Sequence, residues 1–347
     1  MKKNGSRILL VLLLLLTALT LWVLRSKNKP VSSDKDNRKF AYRDTASLTR
    51  IFMADKEGHQ CTLERKTEGW IVNGKYKART EAILNLMEAI KNVDIKMSVP
   101  KESQQTVLKF MTARALKVEL YAGDELVKQY YVGYETEDSE DTYMLLTDLE
   151  CGKNYDQPYA CFIPGFKGFL NPRFIVKEND WRDRILINYT PPQIREIKVL
   201  LSDFPPDSSF IIELKDTRTF AVKNLKGESV PYNEAQLKQY IIYFQNLSYE
   251  RLITAQNKKL QDSLTATRPF CTISVAGQGF NTDEYKFYRM AFNGKVNPEL
   301  GVNFNYDPDR LFIRFAGDRE WAIGQYFALG KLFVSRNYFV PAPSVKK

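Results

Sequence analysis

Histidine is the side chain most often used for acid–base chemistry near neutral pH, and this sequence contains one, His59. It lies in the short sequence EGHQ, between two runs with strand character. A histidine-based triad needs a nucleophile and an orienting acid beside the ring, and nothing in the neighbouring sequence supplies them. One histidine also cannot complete a zinc site among scattered cysteines. His59 is therefore predicted to be an exposed residue of a hairpin turn.

The four cysteines form neither a CxxC pair nor a zinc-ligand spacing. Cys61 and Cys271 lie in the strand-like runs CTLER and CTISV and are predicted to be buried as small hydrophobic residues. Cys151 and Cys161 bracket nine residues. They are predicted either to close a small disulfide in an oxidising compartment or to stay unpaired.

An acidic run at residues 135–141 could offer oxygen ligands to calcium. It lacks the glycine at the sixth place and the closing glutamate of an EF-hand loop, so a solvated hairpin tip is the favoured interpretation. The motifs GxGxxG, GxxxxGK[ST] and GxSxG do not occur. We therefore predict no catalytic residue, no metal and no cofactor, and a protein that is not an enzyme.

Aromatic side chains make up 13% of the chain and supply the remaining candidate for binding. Tyrosine offers both contact area and a polar hydroxyl, so tyrosines on one sheet face can form a binding surface. Core packing is the alternative for the same residues, and it is the favoured one. The segment WRDR at residues 181–184 mixes an aromatic ring with both charges and is predicted to clamp two domains together. The candidate interaction surface comprises Tyr130, Tyr131, Tyr134, Tyr143, Trp181 and Arg182.

These residues must be positioned by elements that follow an N-terminal apolar run, Ile8–Leu24. As a helix this run spans about 25 Å, near the short end of what crosses a bilayer, and flanking arginines can extend its reach to the headgroups. A cleaved signal peptide would have a shorter core and a small-residue cleavage site, whereas here RSKNK follows directly. No cysteine closes the run, which argues against a lipoprotein. We predict a single-pass anchor in contact with the lipid bilayer.

The orientation of this anchor follows from the chain on each side of it. Basic residues flank the run at both ends in nearly equal numbers, so the positive-inside rule favours neither orientation strongly. A short basic N-terminus ahead of a long domain favours the N-terminus in the cytoplasm and the bulk of the chain outside it. The expected location is the bacterial inner membrane, with most of the chain in the periplasm.

The net charge of +10 is concentrated around this anchor. Residues 1–29 contain six basic residues and no acidic one. Such a juxtamembrane cluster favours anionic lipid headgroups. No basic stripe is left elsewhere in the chain, so a nucleic-acid partner is not expected.

The hydrophobic periodicity predicts two similar α+β units in tandem. Three short strand-like runs from residue 48 to residue 73 precede an amphipathic helix, and three similar runs from residue 194 to residue 224 precede another. Asn233 is predicted to cap that second helix. The apolar positions of the two helices differ by a constant 154 residues: Ile83, Leu86, Met87 and Ile90 correspond to Leu237, Tyr240, Ile241 and Phe244.

The expected fold class is α+β, with an N-terminal transmembrane helix and two duplicated units on mainly antiparallel sheets. Paired prolines at 191 and 192 mark the predicted boundary. The predicted segments are the tail and anchor (1–25), a polar linker (26–40), the first repeat (41–190), the second repeat (191–341) and a C-terminal tail (342–347).

Several short motifs of the first repeat carry a family resemblance. GWIVNG at residues 69–74, YYVG at 130–133 and IPGFKGFL at 163–170 follow the anchor in order, with Arg173, Phe174 and Trp181 beyond them. Together they resemble the bacterial membrane-anchored domain-of-unknown-function family numbered 4340. The resemblance covers most of residues 40–190 and, more loosely, the second repeat. It implies an envelope protein with a duplicated α+β domain, related to extracytoplasmic parts of proteins associated with gliding-type ABC exporters, and it implies no catalytic residues.

The function expected from the sequence is the binding or scaffolding of another envelope protein, and a transporter is one candidate for that partner. One alternative is an envelope hydrolase whose carboxylates are brought together by the fold. Such an enzyme would show a deep pocket holding paired carboxylates with raised pKa values. The other alternative is a lipid- or glycan-binding module, which would show a large apolar or aromatic-lined cavity.

Overall fold

The chain folds into two units, the first ending at Asp183 and the second beginning at Arg184. A computed structural model describes Thr17 and residues 39–215, 219–254, 257–277, 281–292 and 305–340. The observed boundary precedes the predicted one at the paired prolines. The physical reason is that the short strand Ile185–Ile187 already pairs with Leu247–Ser248 of the second unit, and the amide of Tyr249 donates to the Arg184 carbonyl at 2.9 Å.

The first unit is built on one antiparallel sheet. Its strand order is β4-β3-β2-β1-β6-β7-β8-β10-β5, and β9 pairs with β8. The strands are Arg50–Ala54 (β1), Gln60–Lys66 (β2), Gly69–Val72 (β3), Tyr76–Lys77 (β4), Asp94–Ser98 (β5), Leu116–Ala122 (β6), Glu125–Glu135 (β7), Thr142–Asp148 (β8), Lys153–Asn154 (β9) and Tyr159–Phe162 (β10).

Two helices cover opposite faces of this sheet. Helix α1 (Thr80–Asn92) buries Ala82, Ile83, Leu86, Ala89 and Ile90 in the main core, which also contains Tyr130 and Val132 of β7. Helix α2 (Lys101–Arg114) packs Val107 and Met111 into a smaller cluster with Leu145 and Tyr131. Successive residues of a strand point to opposite faces of the sheet. Tyr130 therefore packs in the main core under α1, and Tyr131 packs on the other face, under α2. A four-residue helix, α3 (Glu178–Trp181), follows near the end of the unit.

The second unit contains another antiparallel sheet, with the order β14-β13-β12-β17-β18-β19-β20-β16, and a separate pair formed by β11 and β15. Its strands are Ile185–Ile187 (β11), Ile194–Leu201 (β12), Phe210–Leu214 (β13), Phe220–Lys223 (β14), Leu247–Ser248 (β15), Arg251–Leu252 (β16), Cys271–Gly277 (β17), Asp283–Ala291 (β18), Tyr306–Phe315 (β19) and Glu320–Gln325 (β20). Its helices are Glu234–Ile242 (α4), Lys258–Thr265 (α5) and Tyr326–Leu329 (α6).

Helix α4 begins as the sequence predicts. The Asn233 side chain accepts a hydrogen bond from the Gln236 amide at 3.1 Å, which satisfies one of the amides that a helix start leaves unpaired. Helix α4 then buries Leu237, Tyr240 and Ile241 in the main core of the second unit. Helix α5 packs Leu264 into a smaller cluster with Tyr288, Phe312, Trp321 and Ile323. The second unit therefore also carries helices on both faces of its sheet.

The described chain is thus an α+β protein on antiparallel sheets, as predicted from the sequence. Within the described ranges, no helix combines the length and apolar character needed to cross a bilayer. The predicted anchor Ile8–Leu24 lies outside those ranges, apart from Thr17. The predicted polar linker, except for residues 39 and 40, and the C-terminal tail from residue 342 lie outside them too.

Two fully buried tyrosines, one in each main core, differ in whether the hydroxyl group has a hydrogen-bond partner. The Tyr240 hydroxyl donates to the Leu332 carbonyl at 2.9 Å, whereas the Tyr130 hydroxyl has no hydrogen-bond partner among the described residues. A buried polar group without a partner costs free energy, while a paired one contributes a modest net stabilisation. We expect Tyr130→Phe to leave the free energy of unfolding of the first unit unchanged or to raise it by up to about 1 kcal/mol.

Tyr240→Phe is the control, and it is expected to lower the free energy of unfolding of the second unit by about 1–2 kcal/mol, because the Leu332 carbonyl loses its donor. Urea unfolding of the whole protein measures both variants. An equal loss in both variants would show that the Tyr130 hydroxyl is paired.

Candidate functional site

Strands β7 and β8 position the tyrosines that the sequence marked as a binding surface. Tyr130 is fully buried in the main core, so it does not belong to any surface. Tyr131, Tyr134 and Tyr143 pack on the opposite face, against the cluster under α2. The β7–β8 register shifts between Val132 and Glu135, and this irregularity brings Tyr134 to the same side as Tyr131. The hypothesis of a shared binding face is therefore wrong for Tyr130, which is part of the core, as the favoured interpretation has it.

Three aromatic rings form a row on this face. The rings of Phe110 and Tyr134 meet edge to face with centroids 5.7 Å apart, and those of Tyr134 and Tyr143 are 5.1 Å apart. Such geometries are the favourable ones for aromatic pairs. Phe110 is 46% exposed. The row therefore extends from the outer side of α2 to the ring of Tyr143, which lines a groove.

The groove has a volume of about 340 Å³ and lies between the edge strand β5 and the loop that joins β7 to β8. One wall is formed by Lys96, Met97 and Ser98 together with the start of α2. The residues of the opposite wall and of the floor are Thr136, Glu137, Asp138, Asp141, Tyr143 and Ala160. On the β5 wall, Met97 is 56% exposed, which leaves an apolar side chain at the groove.

The groove carries more negative than positive charge. The Lys96 ammonium lies 2.7 Å from Oδ2 of Asp141, a carboxylate that is only 4% exposed. The hydrogen bond from Lys96 to Asp141 is the main reason that the pKa of Lys96 is raised. Glu137 and Asp138 form no ion pair with any residue that the structure describes. The Lys96 charge also acts on Asp138, but the groove lining still contains two more carboxylates than ammonium groups.

Asp138 is held in its ionised form by its own loop. The Thr136 hydroxyl donates to Oδ1 of Asp138 at 2.5 Å, and the Glu140 amide donates to the same oxygen at 3.2 Å. These hydrogen bonds, with that of Thr136 the larger, lower the pKa of Asp138. Burial and the nearby acidic residues raise the pKa values of Tyr134 and Tyr143, so both phenols are neutral. The acidic run is thus the ordered tip of a hairpin beside the groove.

His59 lies at the turn between β1 and β2, next to Asp55 and Glu57. Its Nδ1 is 2.8 Å from Oδ2 of Asp55, and its side chain is 48% exposed. Oδ1 of Asp55 accepts the amides of Glu57 and His59, both at 2.9 Å. Partial burial would raise the pKa of Asp55, but these hydrogen bonds outweigh it and lower the pKa. The carboxylate organises the hairpin turn, and His59 is exposed there as predicted.

The four cysteines are free thiols, so the disulfide alternative for Cys151 and Cys161 is not realised in the structure. Cys61, Cys161 and Cys271 are buried, and Cys151 is half-buried. Burial raises the pKa of Cys61 to about 12, and it also raises the pKa values of Cys161 and Cys271. A thiol is nucleophilic only as its thiolate, so these three side chains act as core residues.

Trp181 is also a core residue rather than part of a surface. Its side chain is fully buried, and its Nε1 donates to the Ile175 carbonyl at 2.8 Å. Arg182 is partly exposed and stacks on the Tyr76 ring, 3.6 Å from the centroid. These contacts lie within the first unit. The assignment of Trp181 to an interaction surface is therefore wrong, because the indole finds its hydrogen-bond acceptor in the core.

The second unit contains a hydrogen-bonded group that the sequence did not indicate. The Tyr189 hydroxyl donates to Oδ2 of Asp283 at 2.5 Å and lies 2.7 Å from the Tyr285 hydroxyl. Burial is the largest cause that raises the pKa of Tyr285 to about 12, and it raises the pKa of Tyr189 further. The partners are more than ninety residues apart in the chain, so no local pattern announces them. Through these two hydrogen bonds, the Tyr189 hydroxyl joins residue 189 to Asp283 and Tyr285 of β18.

The structure thus brings together Tyr131, Tyr134 and Tyr143 and separates them from Tyr130 and Trp181. It adds Met97, Phe110 and the acidic loop, none of which the sequence assigned to the surface. Comparisons of the chain with protein-family models, with curated proteins and with solved structures give no match.

Proposed function

We propose that this chain is a membrane-anchored, extracytoplasmic binding and scaffold protein, and that its first unit binds another envelope protein at the groove beside β5. The observation that carries the proposal is the combination of that groove with exposed apolar side chains and unbalanced charge on one face. Exposed apolar patches of this kind mark binding sites on soluble domains. The apolar run Ile8–Leu24 supports the anchor, and the balance of flanking charge supports the orientation.

We also propose that the two units arose by duplication of one module. The first sheet begins with a four-strand meander (β4 to β1) and the second with a three-strand meander (β14 to β12), and each continues with four strands that follow the unit's second helix in the chain. Each ends with a strand, β5 or β16, that the chain forms between its two helices. The constant spacing of the helical core positions supports the same origin, since Leu86 and Tyr240 are both fully buried. The resemblance to the family numbered 4340 agrees with such a module in an envelope protein.

The electrostatics favour a binder over a hydrolase. A general acid at neutral pH needs a carboxyl group whose pKa is raised by burial or by a second carboxylate. The carboxylates in the described ranges whose pKa clearly departs from the ordinary value are Asp55 and Asp138, and both are shifted downward. The groove is open and acidic, whereas a lipid-binding module would present a large apolar cavity.

Site-specific photo-crosslinking in intact cells tests the proposal. A photoreactive residue replaces Met97 at the groove or, as the control, Leu84 on the exposed side of α1; these two side chains are 56% and 63% exposed. We expect one discrete crosslinked envelope protein from position 97 and none from position 84. The same product from both positions, or none from position 97, would contradict the proposal.

A further inference from the structure

The groove beside β5 offers a more specific recognition chemistry than general protein binding. Its lining contains three carboxylates and one ammonium group. The Lys96 ammonium lies 2.7 Å from the Asp141 carboxylate and 3.7 Å from that of Glu140. With three carboxylates and one ammonium group, the residues that line the groove carry an excess of two negative charges.

An aromatic ring lies beside these carboxylates. Tyr143 lines the same groove, and its ring continues the row formed with Tyr134. A cationic side chain inserted between the carboxylates and the ring would gain both ion-pair and cation–π interactions. The groove volume of about 340 Å³ is sufficient for a long side chain together with part of a neighbouring one.

The edge strand determines how the partner is recognised. An open edge is a template for adding a strand, but β5 carries features that oppose strand addition. Its pairing with β10 shifts register between Ala160 and Cys161, so Lys96 is left without a partner position in the ladder. A charged residue at a bulge is a known protection of sheet edges. Recognition by side chains in the groove is therefore favoured over extension of the sheet.

Exposed apolar side chains lie on the β5 wall of the groove and on helix α2. Met97 lies on the β5 wall, and Phe110 is at the other end of the aromatic row. Both are about half exposed. A free small cation would leave these side chains in water, whereas a polypeptide segment with apolar residues next to its basic ones would cover them.

We infer that the groove binds a basic segment of the partner protein, with a lysine or arginine side chain between Glu137, Asp138 and Tyr143 and an apolar neighbour against Met97. This inference rests on the proposed function, because it names the chemistry of the partner at the same site. The partner is recognised by charge and by apolar contact rather than by backbone pairing.

Fluorescence anisotropy with the whole protein in detergent tests this chemistry. The probe is a labelled nonapeptide of sequence GSLKFKLSG, and its matched control has glutamate in place of both lysines. We expect the lysine peptide to bind, the glutamate peptide not to bind, and raised salt to weaken binding. The double variant Glu137→Gln/Asp138→Asn should bind the lysine peptide about tenfold more weakly. This is the loss expected when two exposed ion pairs are removed, each near the upper end of the usual range of strength.

The matched variant is Asp124→Asn/Glu125→Gln, which removes the same charge from the exposed turn at the other end of β7. It should bind the lysine peptide as the unaltered protein does. Equal weakening in both double variants would overturn the inference, because only net charge would then matter. A dimer of the protein that dissociates in the groove variant would also overturn it, since the occupant would be a second copy.

The two proposals can fail separately. If position 97 crosslinks a partner but the lysine peptide does not bind, the basic chemistry is wrong and the binding function stands. If the peptide binds through Glu137 and Asp138 but no partner is crosslinked from position 97, the groove is a cation-binding surface and the proposed function fails.

Discussion

Trp181→Ala is expected to lower the free energy of unfolding of the first unit by about 3–5 kcal/mol. The side chain is fully buried and belongs to the main core of that unit. Truncation removes a large apolar surface and leaves a cavity, and the Ile175 carbonyl loses the indole N–H that donates to it at 2.8 Å. Urea unfolding of the whole protein, followed by near-ultraviolet circular dichroism, measures the loss.

A matched variant separates packing from the hydrogen bond. Trp181→Phe keeps most of the aromatic volume and removes the N–H, so it should cost clearly less than the alanine variant. A change of less than 1 kcal/mol for Trp181→Ala would place this residue at a surface, where a truncation costs little. That result would restore its role in contacting a partner and would remove it from the core.

Gly133→Ala is expected to destabilise the first unit by about 1–3 kcal/mol and to loosen α2 on its sheet. A methyl group on Gly133 would lie 2.7 Å from the Tyr143 carbonyl oxygen and 3.1 Å from Cγ of Met111. The carbonyl is backbone and cannot move without shifting β8, so the strain cannot be relieved by a side-chain rotation. Because Met111 and Tyr143 hold the face that carries the groove, binding of the partner should weaken in the same variant.

Gly330→Ala provides the control for this substitution. Nothing lies within 4 Å of a methyl group there, and the backbone of Gly330 has φ −57° and ψ −30°, which any residue adopts. This variant should be as stable as the unaltered protein or slightly more so, because alanine restricts the unfolded chain. Thermal unfolding of both variants makes the comparison. Equal stability of the two would mean that β7 and β8 are spaced more widely than the structure has them.

Helices and strands whose apolar residues recur at a regular spacing were predictable from the sequence. The spacing of Ile83, Leu86 and Ile90 indicated α1, and all three side chains are buried in the main core. The run IREIKVLL predicted β12 with its observed bounds, Ile194–Leu201. These predictions rest on local patterns that tertiary packing does not override.

Strand β5 was not predicted, although Ile95 and Met97 alternate with polar residues along its short sequence. Its five residues, DIKMS, are mostly exposed and lie between two helices. They become a strand through pairing with β10, more than sixty residues later. Since one wall of the groove is formed by this strand, the groove could not be predicted either. A contact between segments far apart in the chain leaves no local signal.

The side of the sheet on which each tyrosine lies was also not predictable. Strict alternation along β7 would place Tyr130 and Tyr134 on one face. The register shift between Val132 and Glu135 moves Tyr134 to the face of Tyr131. Trp181 illustrates a similar limit, because its charged neighbours in the sequence suggest a surface, while its ring packs into the main core of the first unit.

Recovery of a partner with the whole protein tests the proposed binding at the groove most directly. The full-length protein is purified from membranes with Met97→Arg at the groove or Leu84→Arg on α1, two exposed positions of the same unit. We expect the α1 variant to retain the co-purified envelope protein and the groove variant to lose it, with both variants folded. Retention of the same partner by the groove variant would contradict it.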